Sequence, residues 1–215
     1  MRSLRHLADW HAIRTYYLAQ LDWSTSRHTQ RSEAFDQPMP WWSYGCTHFL
    51  QQTIAPDASV LEFGAGASTA WWLERGNRVV ALESSNEWIQ TVRERCAQHQ
   101  NRLTMILADF DEPETITQLV NGPFDVVVID NEGPRQPLAP LALQLVREGG
   151  VIVLDNADRA EYAAAISLLE DAGYHRLDFF GIGPINAFAT ITSIFTASPT
   201  IEINGMANTF ATVEN

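Results

Sequence analysis

The chain has 215 residues, 46% of them apolar and 19% charged, enough for one substantial domain with a full core and too apolar for a disordered chain. Its formal net charge of −12 disfavours a nucleic-acid substrate and an anionic membrane surface, because a polyanion needs a basic track; a neutral or cationic small molecule fits better. Lysine is absent, so every basic side chain outside histidine is arginine, which excludes a P-loop lysine, a Schiff-base lysine and a lysine general base.

Cys46 and Cys96 have no metal-type spacing and read as reduced thiols of a cytoplasmic protein. Arg2, Arg5, His6, Asp9 and Arg14 break up the first segment. It therefore lacks the uninterrupted core of a signal peptide, and no other stretch is long and apolar enough to span a membrane.

In chain order, Leu4, Leu7, Trp10, Ile13, Tyr17, Leu18 and Leu21 recur at helical spacing, and the polar stretch Ser24 to Gln37 reads as a loop closed by Pro38 and Pro40. Trp41, Trp42, Ser43 and Tyr44 lead into a short helix through Phe49 and Leu50 that ends by Pro56 and Asp57. From Ser59 onward short apolar runs alternate with helical segments. The runs are Val60 to Phe63, Val79 to Leu82, Leu103 to Leu107, Phe124 to Ile129 and Val151 to Leu154. The helices cover roughly Ala67 to Glu74, Asn86 to Gln100, Pro113 to Val120 and Pro137 to Arg147, and a further one runs from about Arg159 to Ala172. Strands apolar throughout belong to a sheet covered on both faces, and the alternation makes it parallel and doubly wound. The last runs, Arg176 to Phe180 and Phe188 to Phe195, are joined by a connection too short for a crossover helix and should pair as a hairpin, adding an antiparallel strand. The expected organisation is an N-terminal helical and aromatic segment, 1–58, an α/β domain, 59–197, and a C-terminal extension, 198–215.

The strongest motif is Val60-Leu61-Glu62-Phe63-Gly64-Ala65-Gly66-Ala67-Ser68-Thr69, between a strand and a helix. Gly64 and Gly66 let a ligand lie on the backbone, and the helix N-terminus offers free N–H groups. The second strand ends in Glu83, followed by Ser84, where an acidic side chain takes ribose hydroxyls. A nicotinamide dinucleotide would use the same architecture, but it wants a third glycine where Thr69 stands and a pyrophosphate where Glu62 would repel it. Glu62 suits a ligand with an amino group and a sulfonium. The third strand ends at Asp109-Phe110 and the fourth at Asp130, so four acidic residues fall at successive strand ends, the ligand side of an open α/β sheet.

From about Trp41 to Phe195 the chain resembles class I S-adenosylmethionine-dependent methyltransferases. The likeness rests on Glu62 to Thr69, Glu83, Asp109, Phe124 to Asp130 and Glu148 to Asn156. It implies a seven-stranded, mostly parallel sheet with an antiparallel last strand and helices on both faces. It also implies that Glu62 and the turn (Gly64, Ala65, Gly66, Ser68, Thr69) hold the methionine part of S-adenosylmethionine, Glu83 with Ser84 the ribose, and Asp109 with Phe110 the adenine. Asp130 borders the cofactor. Ser68 stands where many members carry a third glycine.

Methyl transfer mostly requires a held nucleophile, in line with the leaving sulfur and away from water. Asp130, Asp155 and Asn156 at adjacent strand ends could hold Mg²⁺, similar to catechol and caffeoyl-CoA O-methyltransferases; on that reading Asp130 and Asp155 are the catalytic pair. Those families carry a lysine soon after the first aspartate, where this chain reads Asn131-Glu132-Gly133-Pro134-Arg135. The alternative, in which Asp155 and Asn156 cap a helix or fix a loop, stands beside it. Trp42 and Tyr44 with Trp41 read as a lid, or else as core packing; Arg135 reads as a holder of substrate carboxylate or phosphate, and Asn156 as a substrate contact. His48 and His175 are not assigned to catalysis. The leading expectation is a small-molecule methyltransferase acting on oxygen, with a homodimer as the assembly to test. An NAD-linked oxidoreductase and a non-catalytic S-adenosylmethionine-binding protein are the alternatives.

Overall fold

Seven strands form where the β-branched and apolar runs lie: β1 Ser59–Phe63, β2 Arg78–Glu83, β3 Leu103–Leu107, β4 Phe124–Ile129, β5 Val146–Leu154, β6 His175–Gly181 and β7 Thr190–Thr196. This computed structural model describes residues 9–29, 33–34 and 37–197. The sheet order is β3-β2-β1-β4-β5-β7-β6. The β1–β2, β1–β4, β2–β3 and β4–β5 pairs are parallel, and β7 runs antiparallel to both β5 and β6. The expected hairpin and antiparallel last strand are therefore present. Order reverses between β1 and β4, so their carboxyl ends flank the crevice where ligands settle in such sheets.

Because side chains alternate along a strand, each strand feeds two cores. Leu61, Phe63, Val127, Ile129, Ile152 and Leu154 enter one with Leu138, Leu141 and Leu169. Val60, Val79, Ala81, Val126, Val128, Val151 and Val153 enter the other with Trp42, Trp71 and Trp72. Each fully buried aliphatic or aromatic side chain contributes roughly 1.5–3 kcal/mol. The helices are α1 Trp23–Thr29, α2 Tyr44–Thr53, α3 Ala67–Glu74, α4 Asn86–Arg95, α5 Pro113–Leu119, α6 Ala139–Leu145 and α7 Ala163–Asp171.

Several boundaries differ from expectation. The helix read to Gln100 stops at Arg95 and continues as a 3₁₀ segment, Ala97–Arg102. β5 starts at Val146, inside the stretch read as helix to Arg147, because Phe124 of β4 pairs with Val146. The polar stretch from Ser24 is not a loop at its start: α1 forms there, fastened by Trp23 Nε1 to the Asn186 carbonyl and Arg27 to the Ile185 carbonyl, both at 3.0 Å. The first helical stretch becomes a π-helix, Ile13–Leu18, and its Trp10, Ile13 and Tyr17 are exposed rather than packed. Leu4, Leu7 and the expected C-terminal extension lie outside the described residues. Among the described residues no helix is long and apolar enough to cross a membrane.

Candidate cofactor turn and acceptor site

β1 runs into α3 through Gly64, Ala65 and Gly66, and the two glycines differ in what they do. Gly64 has φ +96°, and a Cβ there would stand 2.6 Å from the Asp130 carbonyl oxygen and 2.7 Å from the Asn131 Cα. Only glycine lets the turn pass under the end of β4. A Cβ on Gly66 would meet nothing within 4 Å, so the open face of the turn lies there.

Glu62 belongs to the β1 face under α3 and is wholly buried. The Thr69 hydroxyl donates to its Oε2 at 2.5 Å and accepts the Gly66 N–H at 3.0 Å. The carboxyl thus holds the turn from beneath instead of facing a ligand. Its Oε1 has no hydrogen-bond partner among the described residues. Burial pushes the Glu62 carboxyl up to about 7, against the pull of the Thr69 bond. Ser68 is buried too.

Glu83, at the end of β2, faces the same turn. Its Oε2 accepts the Ala65 N–H at 3.2 Å, and its Oε1 accepts the Ser84 N–H at 2.8 Å, the Ser85 N–H at 2.9 Å and the Ser84 hydroxyl at 3.3 Å. Trp88 of α4 donates from Nε1 to the Ala65 carbonyl at 2.8 Å, a contact sequence reading missed. At the end of β3 Asp109 is exposed and accepts the Asp111 N–H at 2.9 Å. Phe110 is packed in the core rather than open to an adenine ring.

The β4 and β5 ends carry a different arrangement. Asp130 Oδ2 accepts Trp42 Nε1 at 2.9 Å, and its Oδ1 accepts Arg135 at 2.7 Å. Arg135, only 6% exposed, also donates to the Asp155 carbonyl at 2.6 Å and the Asn131 carbonyl at 3.2 Å, and lies 3.9 Å from Asp155 Oδ2. Asp155 Oδ1 accepts the Thr192 hydroxyl of β7 at 2.6 Å. Burial, then the Asp130 charge, push the Asp155 carboxyl up to about 7, with Thr192 and Arg135 opposing. Burial also raises Asp130, opposed first by Arg135.

These contacts bear on four expectations. Trp42 is fully buried against Trp71 and Trp72, so it is core and not lid. The Tyr44 hydroxyl is tied to the Leu21 carbonyl at 3.3 Å. The Arg135 guanidinium is turned to protein acceptors, with three of its N–H groups bonded to Asp130, Asp155 and Asn131. Asn156, at φ +54°, turns its amide to the Thr190 hydroxyl at 3.2 Å instead of completing a ligand set with Asp130 and Asp155. Among the described residues no group of three or more His, Cys, Asp or Glu could hold a metal ion.

A cavity of about 600 Å³ opens beside this cluster, between loop 131–136 after β4 and Arg159, Glu161 and Tyr162 after β5. Asn131 lines it and also backs onto Gly64, so cavity and turn share a wall. The Tyr162 ring lies 5.4 Å from the Arg135 guanidinium and 6.0 Å from that of Arg159.

The model of a family described as "Methyltransferase domain" matches residues 61–157, from β1 to just beyond β5. No curated protein matches the chain significantly. Among solved structures, the O-methyltransferase TomG from Streptomyces achromogenes, in complex with SAM, is 17% identical over 82% of this chain and 88% of its own, with a TM-score of 0.58. An O-methyltransferase from Bacillus cereus in complex with SAH is 19% identical, covering 88% of this chain and 97% of its own, at 0.57. The Methanococcus jannaschii fibrillarin pre-rRNA processing protein is 18% identical, covering 72% and 74%, at 0.57. At these identities the likeness carries the fold and not the substrate.

Proposed function

We propose that this chain, whose residues 61–157 match the model of a family described as "Methyltransferase domain", is a class I S-adenosylmethionine-dependent methyltransferase that transfers a methyl group to an oxygen of a small-molecule acceptor seated at the β4–β5 ends. The observation that carries the cofactor half is the state of the turn's N–H groups. Ala65 N–H is taken by Glu83 and Gly66 N–H by Thr69. A dinucleotide pyrophosphate would need those donors and would meet the Glu83 carboxylate; a ligand bearing a sulfonium and an ammonium is attracted by it.

The residues present fit S-adenosylmethionine. The open face at Gly66 receives the methionine part. Glu83 Oε2, with one bond made, keeps a lone pair for a ribose hydroxyl. Exposed Asp109 is placed for the adenine amino group. When bound, the cofactor supplies a methyl on a sulfonium, which a nucleophile takes by in-line displacement. The Asp130–Asp155 pair then serves as the proton acceptor for a hydroxyl, with Asp130 as its reachable member at 22% side-chain exposure. Mg²⁺ does not fit these residues: the Arg135 guanidinium stands between the two carboxylates. The net charge of −12 supports a small acceptor over a polyanion such as RNA.

Calorimetric titration with S-adenosylmethionine and with NAD tests this reading. Saturable binding of the former alone is expected. Absence of that binding in folded protein overturns the proposal.

A further inference from the structure

We propose that Arg135 is the built-in cation of the acceptor site, holding by itself the place between Asp130 and Asp155 that a divalent metal would otherwise take. The inference rests on reading the β4–β5 ends as the acceptor side, but its test does not depend on methyl transfer.

Two acidic side chains at adjacent strand ends repel each other and need a compensating charge. A metal would draw ligands from both carboxylates and complete its shell with water. Here a guanidinium does the same work through covalent tethering five residues after Asp130. It donates to the Asp130 carboxylate at 2.7 Å and the Asp155 carbonyl at 2.6 Å, with the Asp155 carboxylate at 3.9 Å. Its Nε–H goes to the Asn131 carbonyl at 3.2 Å, and the Tyr162 ring stacks near it at 5.4 Å. A side chain 6% exposed with this many fixed partners cannot swing away to admit an ion without stranding buried acceptors. Asn156, the third ligand a metal would want, faces Thr190. Arg135 therefore stands in the ion's place and positions both aspartates for the acceptor.

The test is divalent-cation binding, read by electron paramagnetic resonance of Mn²⁺ with the wild type, Arg135→Ala and the double variant Arg135→Ala/Asp155→Asn. The wild type should show no saturable Mn²⁺ up to the millimolar range. Arg135→Ala should gain one saturable site at least 10-fold tighter than the wild type, and the double variant should lose it. Should Arg135→Ala not fold, Arg135→Gln, which can still reach the Asp155 carbonyl, carries the same comparison. Saturable Mn²⁺ on the wild type that Asp155→Asn abolishes would overturn the proposal, as would no gain in a folded Arg135 variant. A failure of S-adenosylmethionine binding leaves these readouts intact, so the two readings fail separately.

Discussion

The two halves of the strand-end edge are built on opposite plans. At the β1–β2 end the turn is fastened mostly by bonds between residues close in sequence: Glu62 to Thr69, Thr69 to Gly66, and Glu83 to Ser84 and Ser85, with one bond from Ala65 to Glu83 joining neighbouring strand ends. At the β4–β5 end the decisive bonds reach farther along the chain: Trp42 to Asp130 and Thr192 to Asp155, with Arg135 to the Asp155 carbonyl joining neighbouring strand ends. The local plan makes a turn that is complete before any ligand arrives. The long-range plan makes a charge cluster that exists only when the N-terminal segment, β5 and β7 have docked. A cofactor common to many enzymes suits the first plan, and an acceptor particular to one suits the second.

Substitution at Trp42 strikes the long-range half hardest. Trp42→Ala empties a core site beside Trp71 and Trp72 and removes a donor from Asp130, and should cost about 3–5 kcal/mol in urea denaturation. Trp42→Phe keeps most of the ring, loses only the Asp130 bond, and should cost about 1–2 kcal/mol. No loss in Trp42→Phe would mean that the bond to Asp130 carries nothing, and equal losses would mean that the ring's packing adds nothing beyond it.

The glycines sharpen the local half. Gly64→Ala forces a Cβ against the Asp130 carbonyl at positive φ and should cost on the order of 3 kcal/mol of stability. Gly66→Ala meets no neighbour within 4 Å; its stability should change by about 1 kcal/mol or less while S-adenosylmethionine affinity falls roughly 10-fold or more if the proposed seat of the methionine part is right, because the added methyl would occupy it. If both variants lose stability alike, Gly66 is not the open face.

The smallest effect is a slope. Glu62 titrates near 4.5 when unfolded and about 7 when folded, so the native state holds the proton longer and stability falls as pH rises between those values. Asp155 adds to the same trend from 3.8 to about 7. Glu62→Gln keeps an acceptor for Thr69 and should remove its share, on the order of 2 kcal/mol between pH 5 and 8. An unchanged slope in thermal or urea unfolding across that window would show that Glu62 is not held uncharged.

Legibility followed the same divide. The Gly64–Gly66 turn, Glu83 and the apolar strands could be read from neighbours in the chain; Trp88 was missed, although its place five residues after Glu83 on a capped helix is a local signal. Thr192 had no such signal: which residue of β7 faces Asp155 depends on antiparallel register, which side-chain alternation leaves open. Trp42 and Trp41 look alike in sequence, yet one is fully buried and the other 48% exposed, a distinction made only by what packs above them. Glu62 was recognised as a residue of the turn, but its direction was not, because an apolar run gives no sign of which face a lone carboxylate shares with Thr69.

The sequence by itself determined the doubly wound sheet, the hairpin at its end and the glycine turn, since each follows from periodicity and connection length over a few neighbouring residues. Tertiary structure alone decided that Glu62 holds the turn from below and that Arg135 sits between Asp130 and Asp155. Those facts depend on the order in which strands stand side by side, and the resulting juxtapositions of charge have no counterpart in local pattern.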